Sequence, residues 1–300
     1  MSDLCILTVH AHPDDEASKG AGTISKYHDE GIRTVLVCCT GGEAGSILNE
    51  AMDRPEVREN LKQVRREELQ KAADIIGYDR VHMLGYLDSG MPDMPENEHP
   101  GNFANAPLDE AVERLVAIIR TERPQVIVSY SDHQTGYLHP DHLMVNEITV
   151  PAFHAAGDPA AFPEAGDPWA PSKLYYTIWA KERLMLTHEA CIEHNGKSPY
   201  EEEWLEKREG EDHLITAKID THRYWDNRCD ALLAHATQVD PNEGFWFPLP
   251  REIAANVYLW DDYELAISTI DTEVMEYDLF EGLRRRDRVD DVMSADTEEE

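Results

Sequence analysis

Short apolar runs alternate with amphipathic stretches along the first half of the chain. Leu4 to His10 reads as a buried strand, and Gly20 to Gly31 as a helix closing at its glycine. Thr34 to Thr40 is a β-branched strand run. Asp53 to Gly77 is a long helical pattern whose stripe is Leu61, Val64, Leu69, Ala72, Ala73 and Ile76. Val81 to Leu84 predicts a short strand, Leu108 to Arg123 a helix and Gln125 to Tyr130 a further strand. This alternation predicts an α/β protein, a Rossmann-like layered parallel sheet with helices on both faces. Ligands of such sheets bind outside the carboxyl ends of the strands. The polar clusters His12 to Glu16, Thr40 to Glu43, Asp88 to Gly90 and Ser131 to His142 all follow predicted strands, so they are expected on one rim.

The second half is less regular. Gly157 to Ser172 reads as a loop and Gly196 to Asp212 as an exposed charged segment. Between them, Lys173 to Trp179 predicts a strand and Glu182 to Glu193 a helix. Trp225 to Gln238 has a helical pattern, and Tyr263 to Ile270 returns as a strand. The expected organisation is a core at 1–155, a smaller mixed α/β subdomain at 156–286 that completes the core and the substrate pocket, and a disordered acidic tail at 287–300.

Charge narrows the choice of partner. The chain has 60 acidic and 27 basic residues, a net charge of -33, which repels phosphate backbones and anionic lipid. A small-molecule ligand is expected, with no nucleic acid and no membrane. Five cysteines without framework spacing, two of them adjacent at Cys38 and Cys39, predict buried thiols in a reducing cytoplasm. The first strand lacks the basic flank of a signal peptide, and no apolar run reaches membrane-spanning length.

The chemistry concentrates in two segments. His12-Pro13-Asp14-Asp15-Glu16 follows the first strand, with His12 and Asp15 three residues apart. Tyr137-Leu138-His139-Pro140-Asp141-His142 follows a later strand and again sets two potential ligands, His139 and His142, three apart. Asp at a helix start is commonly a cap. Capping explains one Asp but not two His-Pro-Asp units, each after a strand. Imidazole with carboxylate is a donor set for zinc, and Fe2+ suits it too. A catalytic zinc takes three protein ligands and keeps one position open. The two segments offer four candidates plus Asp14, so one His and one Asp must serve another purpose.

These paired motifs resemble those of the LmbE-like (PIG-L) family of zinc N-deacetylases. The likeness to its mycothiol S-conjugate amidase branch extends further, through Ser18-Lys19-Gly20-Ala21, Thr40-Gly41-Gly42-Glu43, Ile47-Leu48-Asn49, Ala51-Met52-Asp53, Leu87-Asp88-Ser89-Gly90, Ser172-Lys173-Leu174-Tyr175-Tyr176 and His235-Ala236-Thr237-Gln238. The resemblance implies that His12, Asp15 and His142 bind one zinc and that Asp14 is the general base. It implies that His139 faces the developing oxyanion or protonates the leaving amine, that Asp141 orients it, and that Tyr137 holds the tetrahedral intermediate. Arg65, Asp88 and Glu43 stand where the family contacts the sugar and inositol of its substrate, and Lys19 is expected on the acyl side. The run Asp132-His133-Gln134-Thr135-Gly136-Tyr137 departs from the family's Asn-Gly-Gly before the Tyr. His133 is expected to face solvent.

The implied activity is cleavage of the amide joining acylated cysteine to glucosaminyl-inositol in a mycothiol S-conjugate. The rivals are deacetylation of the N-acetylglucosaminyl-inositol precursor and a non-enzymatic sugar-binding module. The intact acid and histidine set argues against the module, because a lectin needs no general base.

Overall fold

The computed structural model describes residues 4–133, 138–242 and 244–284. One seven-stranded sheet organises them, in the order β3-β2-β1-β4-β5-β7-β6. The strands are β1 (Cys5–His10), β2 (Arg33–Thr40), β3 (Arg80–Tyr86), β4 (Val126–Ser129), β5 (Lys173–Ile178), β6 (Ala217–Asp220) and β7 (Trp260–Ser268). β1 to β5 run parallel, and β7 and β6 are antiparallel additions. The α/β expectation holds, with a mixed rather than wholly parallel sheet. The sheet continues past residue 155, since β5, β6 and β7 hydrogen-bond into it.

The apolar runs build β1 and β2 because both their faces are covered. Leu7, Val9, Val35 and Val37 pack on one face with Leu115, Ile119, Val145 and Ile148. Ile6, Leu36 and Cys38 pack on the other with Ile24, Tyr27, Leu69 and Ala73. All five cysteines are buried and unbridged. Among the described residues, no helix is long and apolar enough to cross a membrane.

Several elements differ from expectation. The long helical pattern from Asp53 is broken at Asn60 into helices Pro55–Glu59 and Leu61–Ile76. The charged segment after Gly196 contains a helix, Glu202–Lys207, anchored by the buried Leu205. The pattern from Trp225 stops at Ala234, and His235 turns inward. Helix Pro140–Gly157 has no apolar stripe to reveal it. It packs against the sheet and helix Leu108–Glu122 but leaves Glu147, Pro151 and His154 exposed; polar residues on its buried side and Pro151 on its exposed side blur the pattern.

The sheet order locates the site. From β1 the chain moves outward to β2 and β3, then returns to place β4 on the other side of β1. Connections diverge between β1 and β4, which opens a crevice at their carboxyl ends. The segment of His12 leaves β1 there, and that of His142 follows β4.

One buried acid makes a stability prediction. Asp262 is buried, its Oδ1 accepts from Tyr258 Oη at 3.0 Å, and its Oδ2 has no partner. Burial raises its pKa to about 6, against the opposing charge of Arg183. The folded carboxyl therefore holds its proton more tightly than the unfolded one. Stability from this group is present below the unfolded pKa and is lost as pH rises to the folded value. Asp262→Asn removes that loss, about 3 kcal/mol at pH 7. Its Tm should exceed wild type by several degrees at pH 7 and match it below pH 4. Equal Tm values at both pH values would count against a strained, ionised Asp262.

Candidate metal centre

The backbone turns sharply after β1. Asp14 has φ 117° and ψ -27°, a left-handed conformation unusual for a residue with a side chain. This turn splits the neighbouring carboxylates: Asp15 faces inward and is buried, while Asp14 stays half-buried. On the other side of the crevice, His139 caps helix Pro140–Gly157, its Nδ1 accepting from the Asp141 N–H at 3.2 Å. That cap places His142 one turn in, facing back toward β1, its ring 4.9 Å from that of Tyr130.

Three donor atoms meet between the two segments. His12 Nδ1 lies 3.5 Å from Asp15 Oδ2, and His142 Nε2 lies 3.4 Å from the same oxygen. All three residues are buried. The other oxygen of Asp15 accepts from Lys19 Nζ. Lys19 and the imidazoles hold the Asp15 carboxyl well below the usual carboxylate range, despite its burial. It is therefore a charged donor beside two imidazoles. His142 is pushed down by burial, so its ring is neutral with a lone pair to give.

A second set of possible donors, His12, Asp88, His139 and Asp141, shares His12. Its carboxylates are otherwise engaged. Asp141 accepts from His12 Nε2 at 3.1 Å and from the Ser89 N–H at 2.9 Å, and Ser89 Oγ donates to its other oxygen. Asp88 accepts from the N–H groups of Gly90 and Ala44. A carboxylate on Nε2 leaves Nδ1 of His12 to face Asp15, the kind of arrangement by which second partners orient metal-binding histidines. The donor chemistry thus fits a borderline metal at the His12, Asp15 and His142 atoms.

Around Asp14 the chain builds a rigid bed. Arg65 is only 3% exposed and donates from Nη2 to Asp14 Oδ2 at 2.9 Å and to the Pro13 carbonyl. Sequence pattern alone puts this arginine on a solvated helix face; the fold buries it. Gly42 is needed where it stands, since a Cβ there would fall inside the Arg65 guanidinium. Burial raises the Asp14 pKa, and Arg65 opposes the rise. From the other side, Glu16 accepts the Asp14 N–H at 3.0 Å and pairs with His235, both fully buried. The Glu16–His235 pair thus braces the left-handed residue. Sequence reasoning left His235 without a role, because its partner lies 219 positions away.

Other expected site residues fall on the same rim. Glu43 pairs with Lys62 at 3.1 Å, and Asp88 lies 3.5 Å from His12 Nε2. The His139 ring sits 4.4 Å from the His12 ring, and burial together with the His12 charge lowers its pKa to about 4. His133 is exposed. Tyr137 lies outside the described residues.

A doubly wound sheet with an acid and histidine cluster at its switch point defines a class, the α/β proteins whose crevice gathers donors able to hold a metal. The comparisons narrow it: the chain belongs to the PIG-L family. That family, described as GlcNAc-PI de-N-acetylase, matches residues 7–153. A mycothiol S-conjugate amidase of Streptomyces coelicolor is 42% identical, covering 94% of this chain and 98% of that protein. A 1D-myo-inositol 2-acetamido-2-deoxy-alpha-D-glucopyranoside deacetylase of Thermobifida fusca is 38% identical, covering 88% and 93%. Among solved structures, the N,N'-diacetylchitobiose deacetylase of Pyrococcus horikoshii shares the fold at TM-score 0.60 and 18% identity, covering 87% of this chain and 83% of that one. A 4-carboxy-2-hydroxymuconate hydratase of Pseudomonas putida KT2440 shares it at 0.58 and 17%, covering 90% and 99%, so the fold alone does not select a reaction. By its relatives the chain is a hydrolytic enzyme of the amidase and deacetylase kind.

Proposed function

We propose that the chain is a zinc-dependent amidase that hydrolyses the cysteinyl-glucosamine amide of mycothiol S-conjugates, releasing a mercapturic acid and glucosaminyl-inositol. The observation that carries the choice is Lys19. Four residues beyond Asp15, it bonds that carboxylate and lines a small gap with Thr177 and Trp179 at the end of β5. A site that cleaves only acetyl groups needs no such cation on its acyl side. The greater similarity to an amidase than to the deacetylases supports the same reading.

His12, Asp15 and His142 would hold the zinc. Zinc in such a site polarises an amide carbonyl and makes water nucleophilic near neutral pH. Asp14 takes the proton of the attacking water and returns it to the leaving nitrogen, so the amine departs neutral. His139 suits the oxyanion better than the leaving group. The Asp141 N–H occupies its Nδ1, so the neutral ring carries its proton on Nε2, a donor for developing negative charge. Asp141 keeps the His12 ring in place through Nε2, with Ser89 holding Asp141. Arg65 orients Asp14, while Glu43 and Asp88 stand at the rim to receive sugar hydroxyls. Tyr137 would assist at the tetrahedral intermediate.

The test compares kcat/KM of metal-loaded protein on a mycothiol S-conjugate and on the N-acetyl sugar. The conjugate should be the better substrate. Lys19→Ala should lower its kcat/KM by ~10-fold or more, the worth of one hydrogen bond to a charged group, and affect the sugar less. Better wild-type turnover of the N-acetyl sugar would favour deacetylation, and equal losses in the variant would remove Lys19 from the acyl side.

A further inference from the structure

A small gap lies beside Lys19 at the end of β5, and Trp179 and Arg183 line both this gap and a separate cavity of about 60 Å³. Aromatic rings dominate that cavity. Trp179 stacks on Phe245 with centroids 6.2 Å apart and planes 14° from parallel. Trp246 meets both rings edge-on, and Tyr200 packs edge-on to Phe245. Phe245 remains 39% exposed at the rim.

The wall of this cavity also holds a cation with no counter-ion among the described residues. Arg228 is 9% exposed, stacks on Trp225 at 5.1 Å, and forms no ion pair or hydrogen bond among the described residues. Its Nε is buried without a partner, as are Trp225 Nε1 and Arg183 Nε. A buried guanidinium normally collects carboxylates or carbonyls, because desolvating it otherwise is costly. This chain has 60 acidic residues, yet none is described within ion-pair distance of Arg228. A planar cation with fork geometry beside stacked rings is suited to a carboxylate carried on an aromatic group.

We propose that this cavity is a binding subsite for an aromatic acid, its ring among Trp179, Phe245 and Trp246 and its carboxylate on Arg228. Resting on the amidase reading, the subsite receives the sulfur substituent of the conjugate. The gap beside Lys19 carries Asp261 and Asp262, so an anionic group belongs at Arg228 and not there. Asp261 is already engaged by Thr23 and Arg183.

Calorimetric titration of the metal-loaded protein with 2-naphthoate and with its neutral isostere 2-naphthamide tests the subsite without turnover. The acid should bind ~10-fold tighter or better, the contribution of a charge-assisted pair. Arg228→Gln should abolish that preference. Phe245→Ala, at the rim, should weaken both ligands alike, which keeps the test open if the arginine variant does not fold. Equal affinities in wild type, a preference that survives Arg228→Gln through binding elsewhere, or no effect of Phe245→Ala would each overturn the proposal. Conjugates with a carboxyaryl group on sulfur should also be hydrolysed with higher kcat/KM than uncharged aryl conjugates. Naphthoate binding through Arg228 with no hydrolysis of either conjugate would retain the subsite and sink the amidase reading. Hydrolysis of both conjugates with no acid preference in either assay would do the reverse.

Discussion

Asp14→Asn should keep its metal and its fold and lose ~10²–10⁴-fold in kcat, the usual contribution of a general base. The amide cannot take the proton of the attacking water, but in other respects the substitution is mild. Asn tolerates the left-handed backbone that Asp14 adopts. Its side-chain oxygen can still accept from Arg65, and the Glu16–His235 brace bonds the backbone N–H, which is unchanged. Loss of activity with unaltered Tm and metal content would therefore report on proton transfer. Activity within a few-fold of wild type would show that another group activates the water.

Removing a metal donor should act differently. The protein is expected to hold one ion per chain, and Asp15→Ala and His142→Ala should bind almost none after equilibrium dialysis, with hydrolysis lost in parallel. Asp88→Ala should retain one ion, because Asp88 belongs to the alternative cluster and lies on the far nitrogen of His12. Asp141→Asn should fall between them, with metal affinity reduced ~10–100-fold, since it weakens the group that orients the His12 ring. Metal retained in His142→Ala and lost in Asp88→Ala would move the ion to the other cluster. Calorimetry on each folded variant separates these outcomes from unfolding.

Much of this arrangement was legible in the chain. Continuous apolar runs at β1 and β2 announce strands covered on both faces, and the alternation with helices announces a layered sheet. The two His-Pro-Asp units stand out because no single structural need accounts for both. Their placement after successive strands was enough to put them on one rim. Sequence could not choose among the donors, because that choice depends on which nitrogen of His12 faces which carboxylate.

Residues whose meaning comes from distant partners were not legible. Arg65 looks like one more charge on a helix rich in charge, until Gly42 and Pro13 present their carbonyls to it. His235 acquires its role from Glu16, and Lys173 is wholly buried in the sheet only because Glu276, 103 positions on, meets it there. Helix Pro140–Gly157 escaped notice because Asp141, His142 and Thr149 lie on its buried side and Pro151 on its exposed side, which blurs the periodicity that reveals a helix. Sequence alone thus determined the layered sheet, the rim and the kinds of atom gathered on it, because strand burial and turn position are local in origin. The Glu16–His235 brace of Asp14, the nitrogen of His12 that faces Asp141, and an Arg228 without a counter-ion among the described residues were decided by tertiary structure. Each depends on contacts between segments far apart in the chain, which no local pattern records.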